Sequence, residues 1–134
     1  MLQRILFLVF WNTAIAFAQQ PSPAELVQQQ IDAWNAHNVA GFVAPYSDST
    51  ALFLFAEKLI RQFHSKAELR TYYARFFENN PALHCEVLNR IVLGNTVIMQ
   101  EKVTGRADGR TVDSIVTYKI ENGKIRRVYF DYKP

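Results

Sequence analysis

The sequence predicts an α+β domain in which N-terminal helices pack against one face of a strongly curved antiparallel sheet. Helical periodicity occurs only before Pro81, and four apolar-rich runs separated by short turns fill the chain after it. The 134 residues are 49% hydrophobic and 13% aromatic, which is enough for a buried core. A curved sheet beneath helices leaves a cavity between the two layers, a common location for a small-molecule site.

Residues 1–18 have the pattern of a signal peptide, which leaves residues 19–134 as a single domain. Arg4 provides the positive start, Ile5–Trp11 is a short apolar core, and Ala16-Phe17-Ala18 fits the small-x-small cleavage rule. We therefore expect a periplasmic or secreted protein with no stable membrane insertion after cleavage. A retained N-terminal anchor is the alternative, although polar residues shorten the apolar run below the roughly 20 residues of a span.

Charge and cysteine content argue against several partner classes. The net charge is +3, from 15 basic and 12 acidic residues, and no basic run exceeds two residues, so we expect no nucleic-acid partner. Cys85 is the only cysteine, which excludes an intramolecular disulfide and predicts a small buried side chain. The three histidines, His37, His64 and His84, lack metal-ligand spacing, so we expect no metal site. The sequence contains no dinucleotide or phosphate-loop fingerprint, so we expect cofactor-free function.

Two helices are predicted before residue 45. Ser22-Pro23-Ala24-Glu25 has the residues of an N-cap, a first-turn proline and a capping box. The helix behind it has a buried stripe of Val27, Ile31 and Trp34, and Gln30 falls inside that stripe. A short second helix is predicted over Val39–Ala44.

A third helix is predicted behind Ser65-Lys66-Ala67-Glu68, a second capping-box pattern, and Asn79-Asn80-Pro81 ends it. One side of this helix is aromatic. Packing in the core and stacking on a ligand are both open roles for that side, which contains Leu69, Tyr72, Tyr73, Phe76 and Phe77.

The remaining segments are predicted as turns and strands. Tyr46–Ser49 is predicted as a polar turn, Ala51–Phe55 as an apolar strand, and Leu59–Phe63 as its short partner. Four strands of a meander are predicted over about 83–93, 96–105, 110–121 and 124–132. Their turns lie at Gly94-Asn95, Ala107-Asp108-Gly109 and Asn122-Gly123.

Glu101 is the residue that most requires an explanation. Strand alternation places it on one face with Val97, Met99 and Val103, and a carboxyl among apolar residues has a raised pKa. Such a group suits proton transfer near neutral pH. The alternative is a structural carboxyl held by a buried partner such as Gln30 or a tyrosine hydroxyl. Gln30 itself could orient a ligand carbonyl or only satisfy Glu101.

Four segments of the sequence resemble the nuclear transport factor 2-like superfamily, particularly its SnoaL-like and ketosteroid-isomerase-like members. They are Ala33-Trp34-Asn35-Ala36-His37-Asn38, Tyr46-Ser47-Asp48, Ala67-Glu68-Leu69-Arg70-Thr71-Tyr72-Tyr73, and Tyr118-Lys119-Ile120-Glu121-Asn122-Gly123-Lys124-Ile125. The resemblance covers nearly the whole chain after residue 18 and implies a cone of helices on a curved sheet. These segments contain mostly packing and turn residues, so they indicate the fold better than the chemistry.

The resemblance also implies where a site would lie. The general-base aspartate of the isomerase falls near Leu54, its oxyanion tyrosine at Gln30, and its protonated aspartic acid at Val116, so none of the three is kept. Its pocket positions fall at Glu101 and Val103, and at Val128, Phe130 and Tyr132 on the last strand. The predicted site therefore has Glu101 as the candidate catalytic residue. Its predicted ligand-binding residues are Gln30, Trp34, Leu54, Tyr73, Val103, Val116, Val128, Phe130 and Tyr132.

Three functions follow from this pattern. The first is binding of a small hydrophobic molecule, cyclic or aromatic, without a cofactor. The second is an acid/base enzyme of the isomerase, cyclase or dehydratase type, with Glu101 as the acid or base and Gln30 as the oxyanion donor. The third is an interaction module with a vestigial pocket.

The outer face of the sheet predicts a homodimer. By alternation it contains Ile98, Ile115, Ile125 and Tyr129 among Gln100, Thr104 and Thr117, which is more apolar surface than a monomer needs to expose. The resemblance implies a two-fold dimer through this face. Alternation also places Arg126 inward with Val128, and two roles remain open for it: a solvated edge residue, or a guide for an anionic ligand.

Overall fold

The computed structural model describes residues 19–55 and 58–132, so the predicted signal peptide lies outside the described residues. The described residues form three helices, which precede or interrupt the strands: α1 (Pro23–Asn35), α2 (Val39–Val43) and α3 (Lys66–Asn79). The same part of the chain forms six strands: β1 (Tyr46–Leu54), β2 (Lys58–Phe63), β3 (His84–Leu93), β4 (Thr96–Thr104), β5 (Val112–Glu121) and β6 (Lys124–Tyr132). They form one sheet in the order β2-β1-β6-β5-β4-β3. The predicted α+β class and the four-strand meander are confirmed.

The helix starts follow from local capping. Ser22 accepts a hydrogen bond from the Glu25 backbone N–H and the Glu25 carboxylate accepts from the Ser22 N–H, which completes the predicted capping box of α1. Ser65 caps α3 in the same way through the Glu68 N–H. The Glu68 carboxylate, however, accepts from the N–H of His64, one residue earlier than a capping box requires.

The core lies between the helices and the concave face of the sheet. From α1, Val27 and Ile31 are buried there, as the predicted stripe requires, and Gln30 is buried with them. Aromatic rings fill the space between α1, α2 and α3, with Phe42 in contact with Trp34, Tyr73 and Phe77. Packing of these large rings is the main favourable term for a domain without a disulfide.

The predicted polar turn at Tyr46–Ser49 is wrong, because these residues form the first half of β1. Tyr46 is buried and pairs with Ile125 of β6, and β1 runs parallel to β6 while every other strand pair of the sheet is antiparallel. The ladder between β1 and β6 is irregular from Tyr46 to Ala51, and hydrogen bonds within the stretch involve the residues typical of turns. The Ser47 hydroxyl, for example, lies within hydrogen-bond distance of Thr50.

The last strand departs from simple alternation at Arg126. Ile120 of β5 pairs with Ile125 and Lys119 pairs with Arg127, so Arg126 is an extra residue in β6. Because of this bulge, the residues of β6 that precede it lie on the opposite face of the sheet from the one that simple alternation predicts. Ile125, predicted on the outer face, is fully buried in the core, and Arg126, predicted inward, is exposed and donates to the Ser49 carbonyl oxygen at 3.0 Å.

The outer face of the sheet is apolar in its middle. Ile115 is 43% exposed, and Phe53 stacks on Tyr129 with ring centroids 4.8 Å apart. Ile91 and Leu93 of the edge strand β3 extend this surface.

Within the described residues, no helix has the length and apolar content needed to cross a membrane.

Candidate functional site

A cavity of about 760 Å³ opens between the helices and the concave face of the sheet. Helix residues form one wall, and these are Gln30, Ile31, Trp34, Phe42, Tyr72, Tyr73 and Phe76. Strand residues form the opposite wall, including Leu52, Cys85, Glu101, Val103, Ser114 and Phe130. Most of this lining is aromatic or aliphatic, so the few polar side chains stand out against it.

Glu101 lies at the floor of this cavity. It is 5% exposed, and the Tyr118 hydroxyl donates to its Oε1 at 2.7 Å. The residue pairs with Val87 of β3 and Ser114 of β5, and a bulge at Leu88 interrupts β3 directly beside it. Bulges commonly re-aim side chains beside functional sites. The burial of Glu101 in the cavity lining confirms that it lies on the predicted inward face of β4.

A directional hydrogen-bond chain ends on Glu101. The Tyr46 hydroxyl donates to Gln30 Oε1 at 3.4 Å, and Gln30 Nε2 donates to the Tyr118 hydroxyl at 3.1 Å. Tyr118 then donates to Glu101, so each bond directs its donor toward the carboxyl and polarises the next. Burial raises the pKa of the Tyr46 and Tyr118 phenols, so both remain protonated donors.

Desolvation sets the protonation state of Glu101. Burial raises its pKa, while the hydrogen bonds from Tyr118 and Cys85 lower it, and the net result is a pKa of about 7. Desolvation outweighs the two donors because the charged carboxylate loses nearly all its water. At neutral pH the floor of the cavity therefore alternates between a neutral acid, which donates and accepts, and a carboxylate, which only accepts.

Cys85 is a site residue that the sequence reading missed as a partner of Glu101. Asn35 at the end of α1 fixes it, with Nδ2 donating to the Cys85 carbonyl at 2.9 Å and Oδ1 accepting from its N–H at 2.7 Å. Burial raises the pKa of the thiol, so it stays protonated and serves Glu101 as a donor. Cys85 pairs with Val103, which makes Glu101 its diagonal neighbour, and this register is not specified by the sequence alone.

The structure places seven of the ten predicted site residues at the cavity: Gln30, Trp34, Tyr73, Glu101, Val103, Phe130 and Tyr132. It does not place Leu54, Val116 or Val128 there. Val116 and Val128 are buried in the core, each opposite a longer aromatic residue that lines the cavity in its place, Phe130 and Tyr118 respectively. Leu54 is the last residue of β1 and lies beyond Leu52, which is the β1 residue in the lining.

Two further features have no counterpart in the sequence reading. Arg106 and Arg110, from the loop between β4 and β5, line the cavity. The indole Nε1 of Trp34 is buried and has no hydrogen-bond partner among the described residues. Over residues 19–55 and 58–132, no three His, Cys, Asp or Glu side chains are placed together to hold a metal ion.

The sequence profile of the SnoaL-like domain matches residues 27–128, which is most of the chain. The chain belongs to the SnoaL-like domain family. This SnoaL-like domain matches no curated protein. Among solved structures it is similar to a cystatin-fold protein from Novosphingobium aromaticivorans, at 27% identity and a TM-score of 0.73, over 83% of this chain and 98% of the other.

Two other solved structures share the fold of this SnoaL-like domain. One is a proposed SnoaL-like polyketide cyclase from Jannaschia sp. CCS1, with 17% identity, a TM-score of 0.65, and coverage of 83% of this chain and 85% of the other. The other is a proposed ketosteroid isomerase from Kribbella flavida, with 14% identity, a TM-score of 0.66, and coverage of 84% and 78%. The predicted resemblance to SnoaL-like and ketosteroid-isomerase-like proteins of the nuclear transport factor 2-like superfamily is confirmed at the level of the fold.

Proposed function

We propose that this SnoaL-like domain binds a small cyclic or aromatic molecule in its cavity without a cofactor. The observation that carries the proposal is Glu101, a buried ionisable carboxyl in a mostly apolar cavity lining, held by Tyr118 and with a pKa of about 7. A volume of about 760 Å³ lies within the range of roughly 300–1,000 Å³ typical of small-molecule pockets.

The walls of the cavity favour a flat apolar body. Trp34, Tyr73 and Phe130 offer ring faces and edges to the body of a ligand. At the floor, the neutral form of Glu101 can donate to a carbonyl or accept from a hydroxyl.

The test is a cavity-blocking variant. Val103→Trp fills the space above Glu101, so aromatic fragments that stabilise the wild type in a thermal-shift screen should bind it at least tenfold more weakly. Lys102→Trp, one residue away on the opposite face of β4, is the matched control and should bind as wild type does. Fragments that bind Val103→Trp as tightly as wild type would contradict the proposal and favour an interaction module with a vestigial pocket.

Acid/base catalysis at Glu101 is the second candidate, and the pKa of about 7 favours it. A base with this pKa is half deprotonated at neutral pH and can take a proton from a carbon next to a carbonyl. Gln30, the predicted oxyanion donor, already accepts from Tyr46 and donates to Tyr118, and these bonds compete with a role toward a ligand oxyanion. Turnover of a bound carbonyl compound that Glu101→Gln abolishes while binding persists would support this candidate.

We also propose that two copies of the domain pair through the outer face of the sheet. Ile115, Phe53 and Tyr129 form the apolar middle of that face. Ile115→Glu would place a charge in a buried interface, so it should reduce the mass measured by light scattering by about half. Glu86→Gln, on the same face but at an already charged and exposed position of β3, should leave the mass unchanged. A wild-type protein that is monomeric at micromolar concentration contradicts the proposal.

A further inference from the structure

We propose that the ligand is an anion, with an apolar ring body above Glu101 and a carboxylate held at the cavity mouth by Arg106 and Arg110. This inference rests on the proposed function and names the class of its ligand. The cavity has a carboxyl group, that of Glu101, at one end and the guanidinium groups of Arg106 and Arg110 at the other, and all three residues belong to its lining.

The two strands β4 and β5 define an axis through the cavity. Glu101 pairs with Ser114, and Val103 pairs with Val112 one step farther along, and all four residues line the cavity. β4 extends only about 10 Å beyond Glu101 before it ends at Thr104, at a rise of about 3.4 Å per residue. The loop that follows presents both arginines, so they lie at the end of the axis opposite the Tyr118 floor.

Exposure increases along the same axis. Glu101 is 5% exposed, whereas the side chain of Arg106 is 28% exposed and that of Arg110 is 76% exposed. A ligand between these groups would have its body in the aromatic section and its charged end in contact with water. This order suits a carboxylate, because the charged end keeps part of its hydration while it pairs with the guanidinium groups.

Asp108 holds the two arginines side by side. Its carboxylate accepts from Arg106 Nη2 at 2.8 Å and lies 3.0 Å from Arg110 Nη2, so one acid bridges two bases and the cluster retains a net positive charge. The Nη1 groups of both arginines have no hydrogen-bond partner within the described part of the chain. Guanidinium N–H groups in this arrangement match the planar geometry of a carboxylate.

Hydrogen bonds and one close contact fix the backbone of the loop, so the backbone positions of both arginines are set before any ligand arrives. Asn80 Oδ1 accepts from the Ala107 N–H at 2.9 Å, and the Gly109 N–H donates to the Arg106 carbonyl at 2.9 Å. Gly105 packs against the backbone of Ala82 so closely that no side chain fits between them. A loop whose backbone is already ordered reduces the entropic cost of binding an anion.

The test compares two probes of nearly the same shape, 2-naphthoate and its neutral analogue 2-naphthamide, by calorimetry on the full chain at pH 6. The wild type should bind the acid about tenfold more tightly at low salt, and this preference should shrink in 0.5 M NaCl, because salt screens exposed charges. Arg106→Gln and Arg110→Gln should each reduce the preference and leave the affinity for the amide unchanged. Arg126→Gln, exposed and outside the cavity lining, is the control and should behave as wild type.

The affinity for the amide reports whether the cavity is intact and so separates this inference from the proposed function. Suppose that the amide binds, that Val103→Trp blocks this binding, and that the acid binds no more tightly than the amide. The inference is then wrong and the proposed function stands. Equal losses for acid and amide in the arginine variants also overturn the inference. A wild-type protein that binds neither compound overturns it as well, whatever fragments the cavity accepts in the thermal-shift screen.

Discussion

Glu101→Gln should make the protein more stable than wild type above pH 7, while the two proteins have similar stability below pH 4.5. The folded state raises the pKa of this carboxyl from 4.5 to about 7, so between these values the folded protein binds more protons than the unfolded chain. The free energy of unfolding of the wild type therefore falls as pH rises through this interval. The total change is about 3 kcal/mol, since one pKa unit corresponds to about 1.4 kcal/mol.

Glutamine resembles the neutral acid, because its carbonyl oxygen can still accept from Tyr118 and its amide does not ionise. Chemical denaturation of both proteins at pH 4, 6 and 8 measures the effect as a difference that grows with pH. Glu86→Gln removes an exposed carboxyl from the neighbouring strand β3 and controls for loss of charge. If Glu101→Gln is instead less stable than wild type at pH 8, by the roughly 1–3 kcal/mol of a lost buried hydrogen bond, the ionised carboxylate is a structural group.

Gly105→Ala should destabilise the protein by about 3 kcal/mol or more, because two costs add at one position. The backbone of Gly105 has φ +72°, where a side chain is strained, and a Cβ there would lie 1.7 Å from the carbonyl oxygen of Ala82. The backbone of Ala82 must therefore move, together with the turn that begins at Asn80. Thermal or urea unfolding measures the loss.

Gly109→Ala provides a matched control in the same loop. Its φ is +74°, almost equal to that of Gly105, but nothing lies within 4 Å of an added Cβ. Only the cost of placing a Cβ on a left-handed backbone, about 1–2 kcal/mol, then applies. Equal losses in the two variants would contradict the close approach between Gly105 and Ala82. Because the same contact orders the arginine loop, Gly105→Ala should also reduce the preference for 2-naphthoate.

Local patterns predicted the elements of this fold where sequence and packing agree. Capping residues at Ser22 and Ser65 mark the starts of α1 and α3, and alternation places Glu101 among the inward residues of β4. Two errors have different origins. Alternation assumes an uninterrupted ladder, and the extra residue at Arg126 shifts the parity of β6. The turn-like composition of Tyr46–Ser49 concealed the first half of β1, where Tyr46 pairs with β6 and the ladder is irregular until Ala51.

The site was harder to predict than the fold because its contacts join distant parts of the chain. Glu101 was predicted to have Gln30 or a tyrosine as a partner, and the structure uses both in series, with Tyr118 between them. Cys85 and the arginines enter through strand register and loop geometry, neither of which a single sequence specifies. Arg106 and Arg110 flank a predicted turn, and only the shared Asp108 and the anchored loop bring them to the cavity.

The most direct test of the account is the pKa of Glu101 itself, measured by carbon-13 NMR titration of the glutamate carboxyl carbons, with Glu101→Gln to assign the resonance. We expect a midpoint near pH 7, and a shift in that midpoint when a neutral aromatic carbonyl compound such as 2-naphthamide occupies the cavity. A midpoint near 4.5 would contradict it, because the carboxyl would then be a hydrated or fully paired group and not the polar floor of a ligand cavity.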